Sequence, residues 1–413
     1  MLGKSIRLPQ LRFPEFHSNW SYKKLGELGE FKNGFNADAS AFGSGVEFIN
    51  LMNIFGKSEI SEAQLEKVML NQTQIEQYSV VKGDVLFIRS SVKREGVAQS
   101  CLVNNNFRDT VYSGFIIRFR EFKPIFDHFY KKYCFKSIPF RKKALSLSTT
   151  SANTNINQAS LASINLFFPE IKEQKKIASF LSTVDEKIYL LLRKHECLQT
   201  YKRGVMQKIF SQEIRFKKSD GTAFPDWKEK ILSDLVDRCT QKNIENQISR
   251  VLTNSATQGV LDQQDYFDKN IANSDNLSSY YIVEKGDYIY NPRISMHAPV
   301  GPINKNKIGE GVMSPLYSIF RFKSSTNTFY EQYFKTTFWH HYMCRVANYG
   351  ARHDRMNITT ADFMAMPLPS PHDDEQTKIV DFFEALDRKT QTTKDKLTAM
   401  ETFKKGLLQK MFV

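Results

Sequence analysis

One stretch of this chain occurs twice. Glu173 to Phe210, EQKKIASFLSTVDEKIYLLLRKHECLQTYKRGVMQKIF, returns as Glu375 to Phe412, EQTKIVDFFEALDRKTQTTKDKLTAMETFKKGLLQKMF, at a constant offset of 202 residues without a gap. Fourteen positions are identical, among them Glu173, Asp185, Lys202, Gly204 and Phe210. A shared helical propensity does not hold a register that long, so the chain is an internal duplication. Any fold proposed for it must use this stretch twice.

Both copies read as one long helix, without Pro and with a single Gly near the end. In the first, Ile177, Leu181, Val184, Ile188 and Leu191, then Leu198, Val205 and Ile209, fall on steps of three and four, the seam of a coiled coil. The second keeps the seam with Ile379, Phe383, Leu386 and Leu397, but puts Thr390 and Thr393 where the first has Ile188 and Leu191. A helix of this length, roughly 57 Å at ~1.5 Å per residue, needs a partner for its apolar stripe. The other copy is the expected partner, in an antiparallel pair, with each helix packing on its own domain as the alternative. The same seam is expected to serve helices from partner chains.

The remaining sequence is duplicated in outline only. Phe13-Pro14-Glu15, Trp20 and Leu25-Gly-Glu-Leu28 answer to Phe224-Pro225-Asp226-Trp227 and Leu232-Ser-Asp-Leu235. VVKGDVLFIRSS (Val80 to Ser91) answers to VEKGDYIYNPRIS (Val283 to Ser295), a Lys-Gly-Asp turn followed by an apolar strand. FIIRFR (Phe115 to Arg120) answers to YSIFRFK (Tyr317 to Lys323), and Asn155-Ile156 to Asn357-Ile358. The layout is domain, rod, domain, rod: 1–170, 171–212, 213–370 and 371–413. Ser211 to Ala223 reads as a polar connector, and Ile125 to Leu147 and Phe329 to Arg345 as helical. The fold class is mixed α/β (α+β), with curved sheets in two domains and two long antiparallel helices in pseudo-twofold arrangement.

Net charge is +14, which points to a polyanionic partner. No apolar run approaches the ~20 residues of a membrane span, and the opening MLGKSIRLPQ lacks the apolar core of a signal peptide. The expected location is the cytoplasm, without a membrane partner. Five cysteines lie far apart with no CxxC spacing, which argues against a zinc site or a disulfide framework.

These elements, in this order, resemble the specificity subunit of type I restriction-modification systems. The resemblance spans essentially the whole chain: FPEF, Trp20 and KLGEL, the two Lys-Gly-Asp strands, and the repeated EQxKI rods ending in QKIF and QKMF. It implies two target recognition domains, each reading one half of a split, asymmetric site in double-stranded DNA, with the helices as spacer. It implies two methyltransferase subunits docked on the helices, using S-adenosylmethionine to methylate adenine N6. It also implies two motor and nuclease subunits requiring ATP and Mg, and no catalysis, cofactor or metal on this chain itself. A stand-alone nucleic-acid-binding protein and an interaction scaffold are the alternatives.

The residues agree with a non-catalytic reader. Asn291-Pro292-Arg293-Ile294 lacks the second Pro and the aromatic group with which adenine methyltransferases hold a flipped base. Gly43-Ser-Gly45 is not followed by a third spaced glycine, and neither GxxxxGK[ST] nor HExxH occurs. Pro169-Glu170 with Glu173-Gln-Lys175, and Pro225-Asp226 with Glu229-Lys230, imitate a nuclease metal site, but too closely spaced for two strands to converge on an ion. His340-His341 are adjacent and diverge on a helix.

Reading DNA requires hydrogen-bonding side chains at base edges and cations for phosphates. Two clusters per domain fit, and their polarity places them on loops. In the first domain they are Arg89, Ser90, Ser91, Lys93 and Arg94, and Thr149, Thr150, Asn153, Thr154 and Asn155. In the second they are Arg293, Ser295 and His297, and Arg352, His353, Arg355 and Asn357. Lys131, Lys132, Arg141, Lys142 and Lys143 form a charge run read as a phosphate-facing or solvated helix side.

Overall fold

The computed structural model describes residues 8–61, 64–150, 152–266, 277–325, 327–348 and 354–413. It divides into two compact units, Met1–Arg193 with Lys394–Val413, and Lys194–Thr393. Each unit combines a mixed α+β domain with parts of both long helices.

In the first unit Gly29–Asn33, Ile116–Glu121, Val85–Ile88, Ser100–Val103 and Glu59–Ile60 form a five-stranded sheet in that order, antiparallel except at the last pair. Val85 and Phe87 enter one core with Phe119, Phe135 and Phe140, while Leu86 and Ile88 enter another with Ile116 and Val103. Burial on both faces explains why VLFI is apolar without alternation. Strand Phe42–Ile49 pairs with Glu66–Val68 through a bulge at which both Phe42 and Val46 oppose Val68. Gly43 and Gly45 form it, with φ of 112° and 99°, and a Cβ on Gly45 would lie 2.4 Å from the Val68 carbonyl oxygen. These glycines bend a strand; they do not cradle a phosphate.

The second unit repeats the plan with a four-stranded sheet ordered Val236–Arg238, Ser318–Phe322, Tyr288–Tyr290 and Ile303–Lys305. Tyr288 and Tyr290 face a core with Phe320 and Phe329, and Ile289 faces another with Ile319.

Each expected long helical stretch within the domains is interrupted. Ile125 to Leu147 contains Tyr130–Cys134 and Ile138–Ser146. Ser137 caps the second piece, its Oγ accepting the Phe140 N–H at 3.4 Å. Pro139 stands in that first turn, where a missing N–H is harmless but an incoming helix is stopped. The corresponding stretch in the second unit divides into Thr328–Tyr333 and His340–Val346.

The long helices run Ile171–Phe210 and Asp373–Lys410, both starting two residues before the duplicated stretch. Each start is fastened by a buried carboxylate. Glu173 accepts from the Arg12 guanidinium at 2.8 and 2.7 Å and from Trp20 Nε1 at 3.3 Å. Glu375 accepts from Arg215 at 3.1 and 2.8 Å and from Trp227 Nε1 at 3.0 Å. Glu173 is committed to a guanidinium and an indole, which disposes of the first nuclease-like pattern by structure as well as spacing, and Asp226 of the second lies 3.3 Å from Arg215. Arg215 also shows that the connector Ser211 to Ala223 is a structural clamp and not merely a polar tether.

Within each unit the two long helices pack antiparallel. Ile177, Leu181 and Val184 share the first unit's core with Leu407, Met411 and Phe412. Ile379, Phe383 and Leu386 share the second unit's core with Met206, Ile209 and Phe210, whose ring lies parallel to Phe383 at 6.4 Å. The same cores include domain residues such as Tyr130 and Phe329, so helix pairing and domain packing occur together. This corrects the assignment of that seam to other chains. Leu191 is buried as well, and Ile188 and Leu397 are half-buried; the apolar stripe is filled by this chain itself. Thr390 and Thr393 sit in it by donating their hydroxyls to the Leu386 and Lys389 carbonyls, at 2.8 Å each.

Candidate nucleic-acid interface

The Lys-Gly-Asp turn launches the strand that delivers the candidate residues. Gly83 and Gly286 adopt φ of 98° and 103°, as a turn glycine there requires. Asp84 accepts the Val81 N–H at 2.8 Å and grips Arg120 through bonds of 2.8 and 2.7 Å. Asp287 likewise accepts the Glu284 N–H at 2.8 Å and grips Arg321 at 2.6 and 3.1 Å. Both arginines are held above the ordinary guanidinium range, first by the hydrogen bond to this aspartate. An ionic staple on the same turn therefore sets the strand in both units.

In the first unit the strand ends at Ile88, and the two candidate clusters meet just beyond it. The Ile156 N–H donates to the Arg89 carbonyl at 3.0 Å. Ser90 and Ser91 pair with Asn155 and Thr154, which pair in turn with Thr149 and Thr150. This corrects the expectation of loops for six of them, which build a small three-stranded sheet, Thr149–Thr150, Thr154–Asn155 and Ser90–Ser91, while Arg89, Lys93, Arg94 and Asn153 lie outside its strands. Thr149, Thr150, Asn153, Lys93 and Arg94 are exposed, Arg89, Ser90, Ser91 and Asn155 are half-buried, and Thr154 is buried. Arg89 donates to the Gly114 carbonyl at 3.2 Å, which holds its guanidinium at the rim of an open depression that Ser90 and Asn155 also line.

The second unit makes the same junction in a shifted register. The Met356 N–H donates to the Pro292 carbonyl at 2.8 Å, and Arg293 bridges Arg355. Met356, not Ile358, thus takes the place held by Ile156; a slip of two residues keeps side chains on the same face. Arg293, Ser295, His297 and Asn357 are exposed and Arg355 is half-buried, 3.8 Å from the Asp354 carboxylate. Ser295 and His297 belong to a turn closed by the Ala298 N–H on the Ser295 carbonyl at 3.1 Å. The Asn291 side chain is spent on its own scaffold, donating to the Asn254 carbonyl at 2.9 Å and accepting the Arg293 N–H at 3.0 Å. Arg352 and His353 lie outside the described residues.

The charge run of the first domain is mostly internal. Lys131 is buried and bonds Glu121 and the Gly83 carbonyl, both at 2.7 Å. Lys132 lies 3.4 Å from Glu59 and 3.3 Å from Asp185. Arg141 donates to the carbonyls of Val97 and Glu95 at 2.6 and 2.7 Å. Only Lys142 and Lys143 of that run are exposed. The run reads as a helix surface in the sequence because the carbonyls and carboxylates that its Lys131, Lys132 and Arg141 serve are remote in sequence. His340 is half-buried against Trp339, and burial lowers its pKa. Among the described residues no group of three His, Cys, Asp or Glu side chains is placed to hold a metal ion, and no helix is long and apolar enough to cross a membrane.

The rim also contains residues that sequence reasoning passed over: Met52 and Phe115 in the first unit, Leu316 in the second. An apolar residue beside a strand reads as core, and only the packing reveals that these are exposed.

Residues 17–199 and again 225–402 match the family described as the type I restriction modification DNA specificity domain. The chain belongs to this family. Each match starts near the domain's first elements and continues into the long helix that follows.

Among curated members of the specificity family, the chain is 24% identical over 221 residues to the putative type I restriction enzyme MjaX specificity subunit of Methanocaldococcus jannaschii, covering 52% of each chain. It is 30% identical over 111 residues to the MjaVIII specificity subunit of the same organism, covering 25% of this chain and 26% of that one. These alignments span about half and about a quarter of the relatives' lengths. Solved structures of type I specificity subunits share the fold. The S subunit from M. genitalium aligns with a TM-score of 0.53 at 15% identity, covering 98% of this chain and 99% of that one. The HsdS subunit from Thermoanaerobacter tengcongensis aligns at 0.55 and 16%, covering 100% and 99%. A chain from a structure titled for complex assembly and conformational transition of the type I R-M system gives 0.58 at 14%, covering 94% and 96%.

Proposed function

We propose that this chain is the DNA-reading subunit of a type I restriction-modification complex, with residues 1–170 and 213–370 each reading one half of a split, asymmetric target. The observation that carries this reading is the junction found in both units. Polar and cationic residues after the Lys-Gly-Asp strand are joined by backbone bonds to those preceding the long helix. The frame recurs while the side chains it presents differ: Ser90 and Asn155 in one unit, Arg293 and Arg355 in the other. Two rigid platforms with different hydrogen-bonding faces suit two different half-sites.

The chain contributes no catalytic group in this reading. Adenine N6 methylation falls to two methyltransferase subunits carrying S-adenosylmethionine, and restriction to two ATP- and Mg-dependent motor and nuclease subunits, all in the cytoplasm. The methyltransferase subunits dock on the outer faces of the long helices, where Tyr189, Leu190, Leu192 and Phe403 of the first unit are exposed. Lone apolar residues on a surface are ordinary, but three within one turn of a helix, Tyr189, Leu190 and Leu192, favour a contact surface.

Co-expression with a methyltransferase subunit, followed by mapping of adenine methylation across host DNA, tests the reading. A split, asymmetric motif is the expected result. A stable complex that methylates no defined motif would overturn it.

A further inference from the structure

Phe115 and Leu316 are each 59% exposed. They are structural equivalents, although the offset of 202 does not align them. Phe119 lies opposite Val85 and Phe320 opposite Tyr288, and Val85 and Tyr288 each follow the aspartate of Lys-Gly-Asp. Counting back along the strands from Phe119 and Phe320 brings Phe115 onto Leu316, at an offset of 201.

Both occupy the third position of the same turn. In Ser113-Gly114-Phe115-Ile116 the Ser113 carbonyl accepts the Ile116 N–H at 2.9 Å, and Ser113 Oγ accepts the Phe115 N–H at 3.3 Å. In Ser314-Pro315-Leu316-Tyr317 the Ser314 carbonyl accepts the Tyr317 N–H at 3.0 Å, and Ser314 Oγ accepts the Leu316 N–H at 3.4 Å. A serine thus pins each turn through two bonds, and each turn presents one large apolar side chain outward. Single exposed apolar residues are commonplace. Recurrence of one on the same anchored turn, in two domains otherwise so diverged, is not explained by that.

The neighbours give the position a purpose. Phe115 lines the depression that holds Arg89, Ser90 and Asn155, and Leu316 lines the one that holds Arg293 and Arg355. Arg89 is tied to the turn itself: its N–H donates to the Phe115 carbonyl at 2.9 Å and its guanidinium to the Gly114 carbonyl at 3.2 Å. An apolar group held among hydrogen-bonding ones matches a base edge that offers both. In the major groove the thymine 5-methyl is the apolar group on an otherwise polar edge.

We propose that Phe115 and Leu316 are specificity-determining residues, each packing on the 5-methyl group of one thymine in the half-site that its own domain reads. This rests on the DNA-reading function proposed above. A leucine and a phenylalanine at equivalent positions make the same apolar contact with different reach, so the contacted thymine can occupy a different step in each half.

The test uses the complex assembled with its methyltransferase subunits and duplexes of the mapped target in which each thymine is replaced, one at a time, by deoxyuridine. One replacement in each half is expected to weaken binding about four-fold, the effect of one methyl group no longer leaving water. Phe115→Ala should abolish that sensitivity in one half and leave the other unchanged, and Leu316→Ala should do the converse; Phe115→Leu, which retains an apolar side chain, should preserve it. Deoxyuridine profiles unaltered by both alanine variants, or altered equally in both halves, would overturn the proposal while leaving the DNA-reading function standing. Absence of any sequence-specific binding by the wild-type complex would remove both.

Discussion

Asp185 of the first long helix lies 2.5 Å from Lys404 of the second, and the duplication repeats this pair with the roles exchanged, Asp387 lying 2.5 Å from Lys202. Asp387 is Asp185 carried forward by 202 residues, and Lys404 is Lys202 carried forward by the same amount. An antiparallel pairing of a duplicated helix must produce such reciprocal contacts, just as an isologous dimer does. Their surroundings differ. Asp185 also bonds the Tyr133 hydroxyl at 2.9 Å and lies 3.3 Å from Lys132, with 20% of its side chain exposed, whereas Asp387 is 46% exposed.

That difference predicts unequal costs. Asp185→Asn leaves two ammonium groups facing a neutral amide in a part-buried site and should destabilise the protein by roughly 2 kcal/mol, whereas Asp387→Asn should cost about 1 kcal/mol or less. Urea unfolding of both variants checks this; equal costs would show that the extra partners of Asp185 contribute nothing.

The same network sets an acid limit. Burial pushes the Asp185 carboxyl up, but the hydrogen bond and charge of Lys404, with Lys132 and Tyr133, hold it below its ordinary 3.8. A depressed carboxylate contributes stability that is complete above its unfolded value and is lost as pH falls through the lower folded value. The stability gap between wild type and Asp185→Asn should therefore be full at pH 5 and close progressively below about pH 4. A gap independent of pH from 5 to 3 would exclude this origin.

The buried carboxylates at the helix starts predict large effects from a segment that reads as a linker. Arg215→Ala leaves Glu375 buried with, among the described residues, the Trp227 indole as its side-chain partner. A loss of ~3 kcal/mol or more is expected, against a few tenths for Lys218→Ala, an exposed neighbour in the same connector. Thermal denaturation of the two variants distinguishes a clamp from a tether.

Base and phosphate contacts should separate by their signatures. Asn155→Ala is expected to relax one position of one half-site, at a cost of about 1–3 kcal/mol in discrimination, and to leave the other half unchanged. Replacing Lys142 and Lys143 by Ala should instead weaken binding to all sequences alike and lower the salt dependence, if this exposed pair meets the phosphates. Salt titrations of binding to matched and mismatched targets tell the two apart.

Reciprocal bridges also define how the helices can be shortened without losing register. Removing seven residues from each helix, between Asp185 and Lys202 and between Asp387 and Lys404, keeps both ion pairs and takes away roughly 10 Å. Under the proposed function the unread spacer should shorten by about three base pairs, at ~3.4 Å each. Methylation mapping that returned the original spacer would defeat the idea of the helices as a ruler.

Much of this architecture was legible in the chain alone, because its signals are local or repeated. Helical periodicity, the positive-φ glycine of Lys-Gly-Asp and the ungapped repeat each depend on residues a few positions apart or on identity at a fixed offset. They sufficed for two diverged mixed α+β domains, two long helices, and the family. What needed the tertiary structure depends on partners far away along the chain. The sequence pairs the seam of one helix with the other, but that Ile177 shares its core with Met411 and Tyr130, and Phe383 with Phe210 and Phe329, is seen only in the packing. Lys131 and Arg141 read as a phosphate-facing or solvated helix side until Glu121 and the Val97 carbonyl claim them. The candidate clusters become one platform only through the pairing of Ser90 with Asn155 and of Arg293 with Arg355. Equivalence of Phe115 with Leu316 depends on strand register, which aligns the sheets at 201 while the helices keep 202. A helix carries its own register in its sequence; a sheet acquires its register from the strand it meets.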